Sequence, residues 1–181
     1  MILLITVDKL AHQIANSIHK NAPEFSPAIL KYMLSAILNL LITVIIVLVI
    51  AGFTGHFLDA FLCVWAFPLL RHFSGGMHFK SNTICNVVSS FFILLAIFLP
   101  VNYWYEGLVL NIIAVSILLI NAPQGVKGTI DPKFYPVLKV ISVLIVASNF
   151  LFQSHILTLV FLIQALTTFS LFQKLIDKLK L

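Results

Sequence analysis

One stretch of the chain concentrates side chains able to do chemistry: Arg71-His72-Phe73-Ser74-Gly75-Gly76-Met77-His78-Phe79-Lys80-Ser81-Asn82-Thr83-Ile84-Cys85. A cysteine thiolate is a nucleophile, and a histidine can take up a proton and return it to a leaving amine. Cys85 and His78 therefore read as candidates for covalent acyl chemistry. On one unbroken helix the two would stand about 10 Å apart, whereas a nucleophile and its base need contact at roughly 2.6–3.2 Å. The adjacent Gly75 and Gly76 break regular structure, and Ser81 or Asn82 suits the N-cap of the apolar helix that follows. With Asn82 as the cap, Cys85 falls in the first turn of that helix. The helix dipole and a neighbouring imidazolium both favour the thiolate there, and His78 can fold back from the preceding loop.

Other readings stand beside this one. A membrane cysteine is commonly a small packing residue, which is the expectation for Cys63 and the alternative for Cys85. His72 reads as an interfacial residue or as a second base. A metal site built from His72, His78 and Cys85 would have only three ligands and no carboxylate, so no metal and no cofactor is expected. His12, His19, His56 and His155 are scattered near membrane boundaries, and no GxSxG, HExxH or phosphate-cradling motif occurs. The oxyanion donor would be the Cys85 backbone amide, Asn82 or Ser81. No carboxylate lies close in sequence to orient His78. Asp131 could reach it if its loop folds over the site.

These residues need a scaffold, and the composition says which kind. The 181 residues carry a net charge of +5, with 61% hydrophobic and only 9% charged residues, against about 25% charged in soluble domains. Sixteen Phe and many Ile, Leu and Val exclude disorder, and two cysteines exclude a disulfide scaffold. The eleven Lys and Arg are spread along a greasy chain and form no basic face for nucleic acid. What remains is an all-α, polytopic membrane protein.

The spans follow from the charge-free intervals, each long enough for the roughly 17–25 residues a bilayer crossing takes. No charge lies between Lys31 and Asp59, Lys80 and Glu106, Glu106 and Lys127, or Lys139 and Lys174. Spans are expected over 33–51, 53–70, 84–99 and 107–121, with the aromatic belt Tyr103-Trp104-Tyr105 after the third and Asn121-Ala122-Pro123-Gln124-Gly125 closing the fourth. The last interval, 140–172, holds two short helices hinged at Asn149 and Gln153-Ser154-His155, or one kinked helix. With six spans and cytoplasmic termini, all eleven basic residues fall on the inner side. Merging the last two would put three lysines outside, against the positive-inside rule. Asp59 and Glu106 then lie on the outer side.

The opening residues look superficially like a signal peptide but lack a cleavage site. Leu3, Val7, Leu10, Ile14 and Ile18 recur at helical spacing instead. They predict an amphipathic helix lying on the inner leaflet, or one packed on a cytoplasmic face. The whole chain thus reads as one unit, with 1–28 at the cytoplasmic face, 29–172 as the transmembrane bundle and 173–181 as a cytoplasmic tail.

The run Arg71-His72-x-x-Gly75-Gly76-x-His78, followed by Cys85, resembles the accessory gene regulator B family, bacterial membrane cysteine endopeptidases of quorum sensing. The likeness extends over nearly the whole chain through its length, six-span pattern, amphipathic start and the Ala122-Pro123 cluster before a basic loop. It implies a catalytic dyad of His78 and Cys85, support from Arg71 and Gly76, and a role for inner-loop bases such as Lys127 and Lys133. In Lys127, Lys133 and Lys139 these bases are more spread out than the family pattern. Gly75, Ser81 and Asn82 join the candidate site as its neighbours in sequence.

The resemblance also implies a substrate: a short propeptide with an amphipathic N-terminal helix, a central Cys or Ser and an acidic tail. Cleavage would leave an acyl-enzyme, and the propeptide's own thiol or hydroxyl would close a thiolactone or lactone ring. A site for this must hold the internal nucleophile near the thioester and exclude water. Basic inner loops would attract the acidic tail. A homodimer in the bacterial cytoplasmic membrane, in contact with lipid, is expected. The competing class is a non-enzymatic permease or peptide-export subunit, with Arg71 and the histidines lining a path.

Overall fold

A computed structural model describes residues 2–77, 79, 81–126 and 130–179. Every regular element among them is helical: α1 (Ile2–Asn21), α2 (Pro27–Phe53), α3 (Phe57–Ser74), α4 (Asn82–Phe98), α5 (Leu108–Asn121), α6 (Tyr135–Ala147), α7 (Asn149–Phe152), α8 (His155–Leu166) and α9 (Ser170–Leu179). A π-helical turn, Tyr103–Gly107, leads into α5, and a 3-10 turn, Pro132–Phe134, leads into α6.

The breaks sit where local chemistry demands them. Pro27 opens α2 in the first turn, where its missing N–H costs nothing. After α2 the chain turns at Gly55, with φ +79°. Pro68 stands inside α3 without ending it, as apolar spans tolerate when neighbours re-satisfy the freed backbone. Between α7 and α8 Gln153 adopts a left-handed conformation, and the Ser154 side chain caps α8 by accepting from the Leu157 amide.

Four segments are long and apolar enough to cross a bilayer: Pro27–Phe53, Phe57–Ser74, Tyr103–Asn121 and Pro132–Phe152. Helices α8 and α9, bent by 60° at their junction, make a fifth if taken as one broken span. Helix α4 is apolar but shorter. At 1.5 Å per residue it reaches about 25 Å, and α8 about 18 Å, against a hydrocarbon core of about 30 Å. The expected hinge at Asn149 and Gln153-Ser154-His155 does divide the last apolar interval.

The core gathers around α8, which packs on α5, α3 and α4. Ile156, Leu159, Val160, Phe161 and Ala165 of α8 meet Cys63, Val64, Phe67 and Leu70 of α3, Ile93 and Ala96 of α4, and Ala114 and Leu118 of α5 in one buried cluster. The outside is apolar as well: Phe53, Leu58, Ile120 and Leu151 are among the most exposed side chains. In water such a surface would aggregate, whereas lipid solvates it.

Buried polar side chains tie helices together. Asn149 Nδ2 reaches Thr158 Oγ1 at 2.9 Å, Ser154 O at 3.0 Å and Asn111 Oδ1 at 3.3 Å, and Ser154 N donates back to Asn149 Oδ1 at 3.0 Å. This cluster pins the break between α7 and α8 onto α5. Helix α1 rests on α2, and its small residues Ala11 and Ala15 are fully buried. Its larger apolar residues Leu10 and Ile18 stay exposed.

Candidate functional site

The sequence-predicted residues meet where α3 ends and α4 begins. Gly75 closes α3: its amide donates to Arg71 O at 2.9 Å, and its φ of +67° lies where only glycine is at ease. A Cβ at Gly75 would come to 1.8 Å from the Gln124 carbonyl oxygen. Gly76, with φ +138°, has no more room, because a Cβ there would stand 2.6 Å from Thr167 Oγ1 and 3.3 Å from Gln164 Nε2. The glycine pair therefore serves as a close-packed seam between three parts of the chain.

That seam is hydrogen-bonded on both sides. Gly76 N donates to Gln124 O at 2.9 Å, and Gln124 N donates to Ser74 O at 3.0 Å, a short parallel bridge to the turn after α5. Met77 N donates to Thr167 O at 2.9 Å, at the end of α8. Gln164 Nε2 donates to Gly75 O at 2.7 Å and to Ser74 Oγ at 3.1 Å. The Arg71 guanidinium, half-buried on the last turn of α3, donates from Nη2 to the Met77 carbonyl and also interacts electrostatically with Cys85. Arg71, Gly75 and Gly76 are thus brought together, with Cys85 within electrostatic reach of the guanidinium.

Ser81 takes the N-cap position of α4, with extended backbone and no side-chain capping bond, and Asn82 is the first helical residue. Of the two caps expected, Ser81 is the one used. Cys85 lies one turn in, and its amide donates to Ser81 O at 3.1 Å. The Cys85 amide, expected as a possible oxyanion donor, is therefore already spent inside the helix. Its thiol is free and half-buried, whereas Cys63, midway along α3, is completely enclosed. The following residue, Asn86, is buried and anchors this turn to α2, donating to Asn39 Oδ1 at 3.1 Å and accepting from Thr43 Oγ1 at 3.4 Å.

His78 and Lys127 lie outside the described residues, as does the side chain of Asn82. His72 is exposed, its ring meeting Phe73 edge-on at 5.1 Å. Lys133 is exposed and paired with Asp131 at 3.0 Å, its ammonium 5.0 Å from the Phe134 ring centre. The Asp131 carboxylate also accepts from the Lys133 amide. Asp131, considered above as an orienting group for His78, is in this structure paired with Lys133. Asp59 stands about 18 Å along α3 from Arg71. It pairs with His56 at 3.3 Å in a cleft shared with Glu106 and His155, at the opposite end of the helix.

Reading the sequence alone missed Gln124, Gln164, Thr167 and Asn86. A signal existed for Gln164: a carboxamide inside an apolar helix is costly to bury and marks a place worth inspecting. Gln124 stood in what read as a span-ending breaker cluster, with nothing to show that its backbone docks on Gly75.

Comparison with known proteins adds one match. The family model described as accessory gene regulator B matches residues 9–175. No curated protein and no solved structure matches the chain.

Proposed function

Because the chain belongs to the accessory gene regulator B family, whose role is the processing and export of autoinducer peptides in quorum sensing, we propose that it is a membrane cysteine endopeptidase. It removes the acidic tail of a short propeptide. The observation that carries this reading is the setting of Cys85: a free, half-buried thiol one turn into α4, within electrostatic reach of Arg71, with a glycine pair at the end of α3 packed against Gln124 and Thr167. The other cysteine has no such access.

The chemistry runs as acyl transfer. The Cys85 sulfur, deprotonated by His78, adds to the scissile carbonyl. The tail's amine departs with the proton that His78 returns, leaving a thioester on Cys85. The propeptide's own thiol or hydroxyl then gives its proton to His78 and attacks that thioester, closing the ring and releasing the Cys85 thiolate. Arg71 attracts negative charge on the attacking sulfur, and in an apolar setting that attraction is screened less than in water. Lys127 and Lys133 draw the acidic tail towards the inner face.

The same reading sets the membrane topology. The chain, a single unit over 1–181, makes six passes, with α4 and α8 as the two short ones and both termini in the cytoplasm. Segment 1–28, with α1 as its amphipathic helix, lies along the inner leaflet, 29–172 forms the bundle, and 173–181 is the tail. The protein works in the bacterial cytoplasmic membrane as a homodimer.

Co-expression with candidate propeptides tests the function. The expected result is loss of the tail with the native chain and with Cys63→Ala, and none with Cys85→Ala or His78→Ala at equal membrane levels. Tail removal that survives Cys85→Ala would reject the peptidase and favour a chain that only moves peptide.

A further inference from the structure

Gln164 is the one long polar side chain in the fully buried part of α8, and nothing in helix packing calls for it. A Leu or Met of similar size would fill the same space without the cost of burying an amide. The carboxamide instead spends its N–H groups on the end of α3, with Nε2 on Gly75 O at 2.7 Å and Ser74 Oγ at 3.1 Å. Its Oε1 is buried without a hydrogen-bond partner. A group that is half-satisfied is kept for the half it does satisfy.

What Gln164 holds is the start of the path to the dyad. Ser74, Gly75, Gly76 and Met77 are each bonded to α8 or to Gln124, and the next residue along the chain is His78. Gly76 sits between the clamp and the guanidinium, since a Cβ there would lie 3.3 Å from Gln164 Nε2 and 3.5 Å from Arg71 Nη1. Arg71 in turn grips the Met77 carbonyl and interacts with Cys85. A shift of the Gly75 carbonyl would therefore be felt at both ends of the reacting pair. We infer that Gln164 is a positioning residue: its carboxamide fixes the Gly75–Gly76 backbone on α8 and so sets where the segment leading to His78 begins relative to Cys85. This inference rests on the dyad proposed above.

The test needs no natural substrate. Full-length protein in membrane vesicles is alkylated at pH 7 with iodoacetamide, and the rates at Cys85 and Cys63 are read separately by mass spectrometry. Removing the base takes away the partner that activates the thiol, so His78→Ala should slow Cys85 alkylation about tenfold. Gln164→Met, which keeps the volume and removes both donors, should slow it to the His78→Ala rate while Cys63 stays unreactive. That pattern separates mispositioning from unfolding, because a loosened bundle would expose Cys63 and speed both sites. If Gln164→Met does not accumulate in the membrane, Gln164→Asn, which keeps the donors but shortens their reach, should show the same slowing. Native alkylation rates in a folded Gln164 variant, alongside a slowed His78→Ala, would overturn this inference alone. An unchanged rate in His78→Ala would overturn the dyad and this inference with it.

Discussion

Gly75 and Gly55 make a matched pair of perturbations, since both have φ well into positive values, +67° and +79°. A Cβ at Gly55 would meet nothing within 4 Å, whereas one at Gly75 would overlap the Gln124 carbonyl oxygen at 1.8 Å. Alanine at either position adds backbone strain of about 1–3 kcal/mol. At Gly75 the neighbour is backbone and cannot swing aside, so the turn after α5 must lift off. That breaks Gly76 N to Gln124 O and Gln124 N to Ser74 O, at about 0.5–1.5 kcal/mol each. The difference between Gly75→Ala and Gly55→Ala should therefore be about 1–3 kcal/mol, read as a shift in the unfolding midpoint of the detergent-solubilised protein. Processing of a co-expressed propeptide should be lost in Gly75→Ala and kept in Gly55→Ala. Equal destabilisation and equal processing in the two variants would refute the account of the glycine seam.

Three further outcomes follow from single contacts. Asn149→Leu strips the bonds to Thr158, Ser154 and Asn111 and strands Asn111 Oδ1, so unfolding should come about 1–3 kcal/mol earlier. An unshifted midpoint would deny the cluster its role in fixing the α7–α8 break. Asp131→Asn removes an exposed ion pair worth about 0.2–1 kcal/mol, so the melting point should hardly move while Lys133 becomes free to meet an acidic tail. A large loss of stability there would contradict the exposed geometry. Asn86→Ala cuts α4 from Asn39 and Thr43 at a cost of about 0.6–1.7 kcal/mol, as found for polar contacts between membrane helices, and that too is measurable by unfolding.

Much of the scaffold could be read from where charges, glycines and prolines fall. The charge-free intervals marked the long helices, Ser81 was one of two caps anticipated for α4, and Cys63 was expected to be a packing residue and is enclosed. The glycine pair was anticipated as a break, but its second property, the lack of room for any Cβ, depends on Gln124, Gln164 and Thr167. Those residues are far away in the chain, and periodicity within one segment carries no information about them. At α1 the stripe of larger apolar residues reads either as facing the inner leaflet or as packed on a cytoplasmic face, and periodicity alone does not choose between them. In the structure α1 packs on α2 with the small Ala11 and Ala15 fully buried, while Leu10 and Ile18 of that stripe stay exposed. Local arithmetic also failed at the Cys85 amide, because a residue one turn beyond its cap already has a backbone acceptor.

The claim on which the function depends is that Cys85 becomes covalently bonded to the propeptide. Purified protein in lipid vesicles, mixed with a synthetic propeptide bearing an acidic tail and quenched in acid, can be weighed intact and mapped by peptide. The account predicts a mass increase equal to the propeptide without its tail, located at Cys85 and absent in Cys85→Ala. Release of the tail with no adduct at Cys85, or an adduct at Cys63, would contradict it.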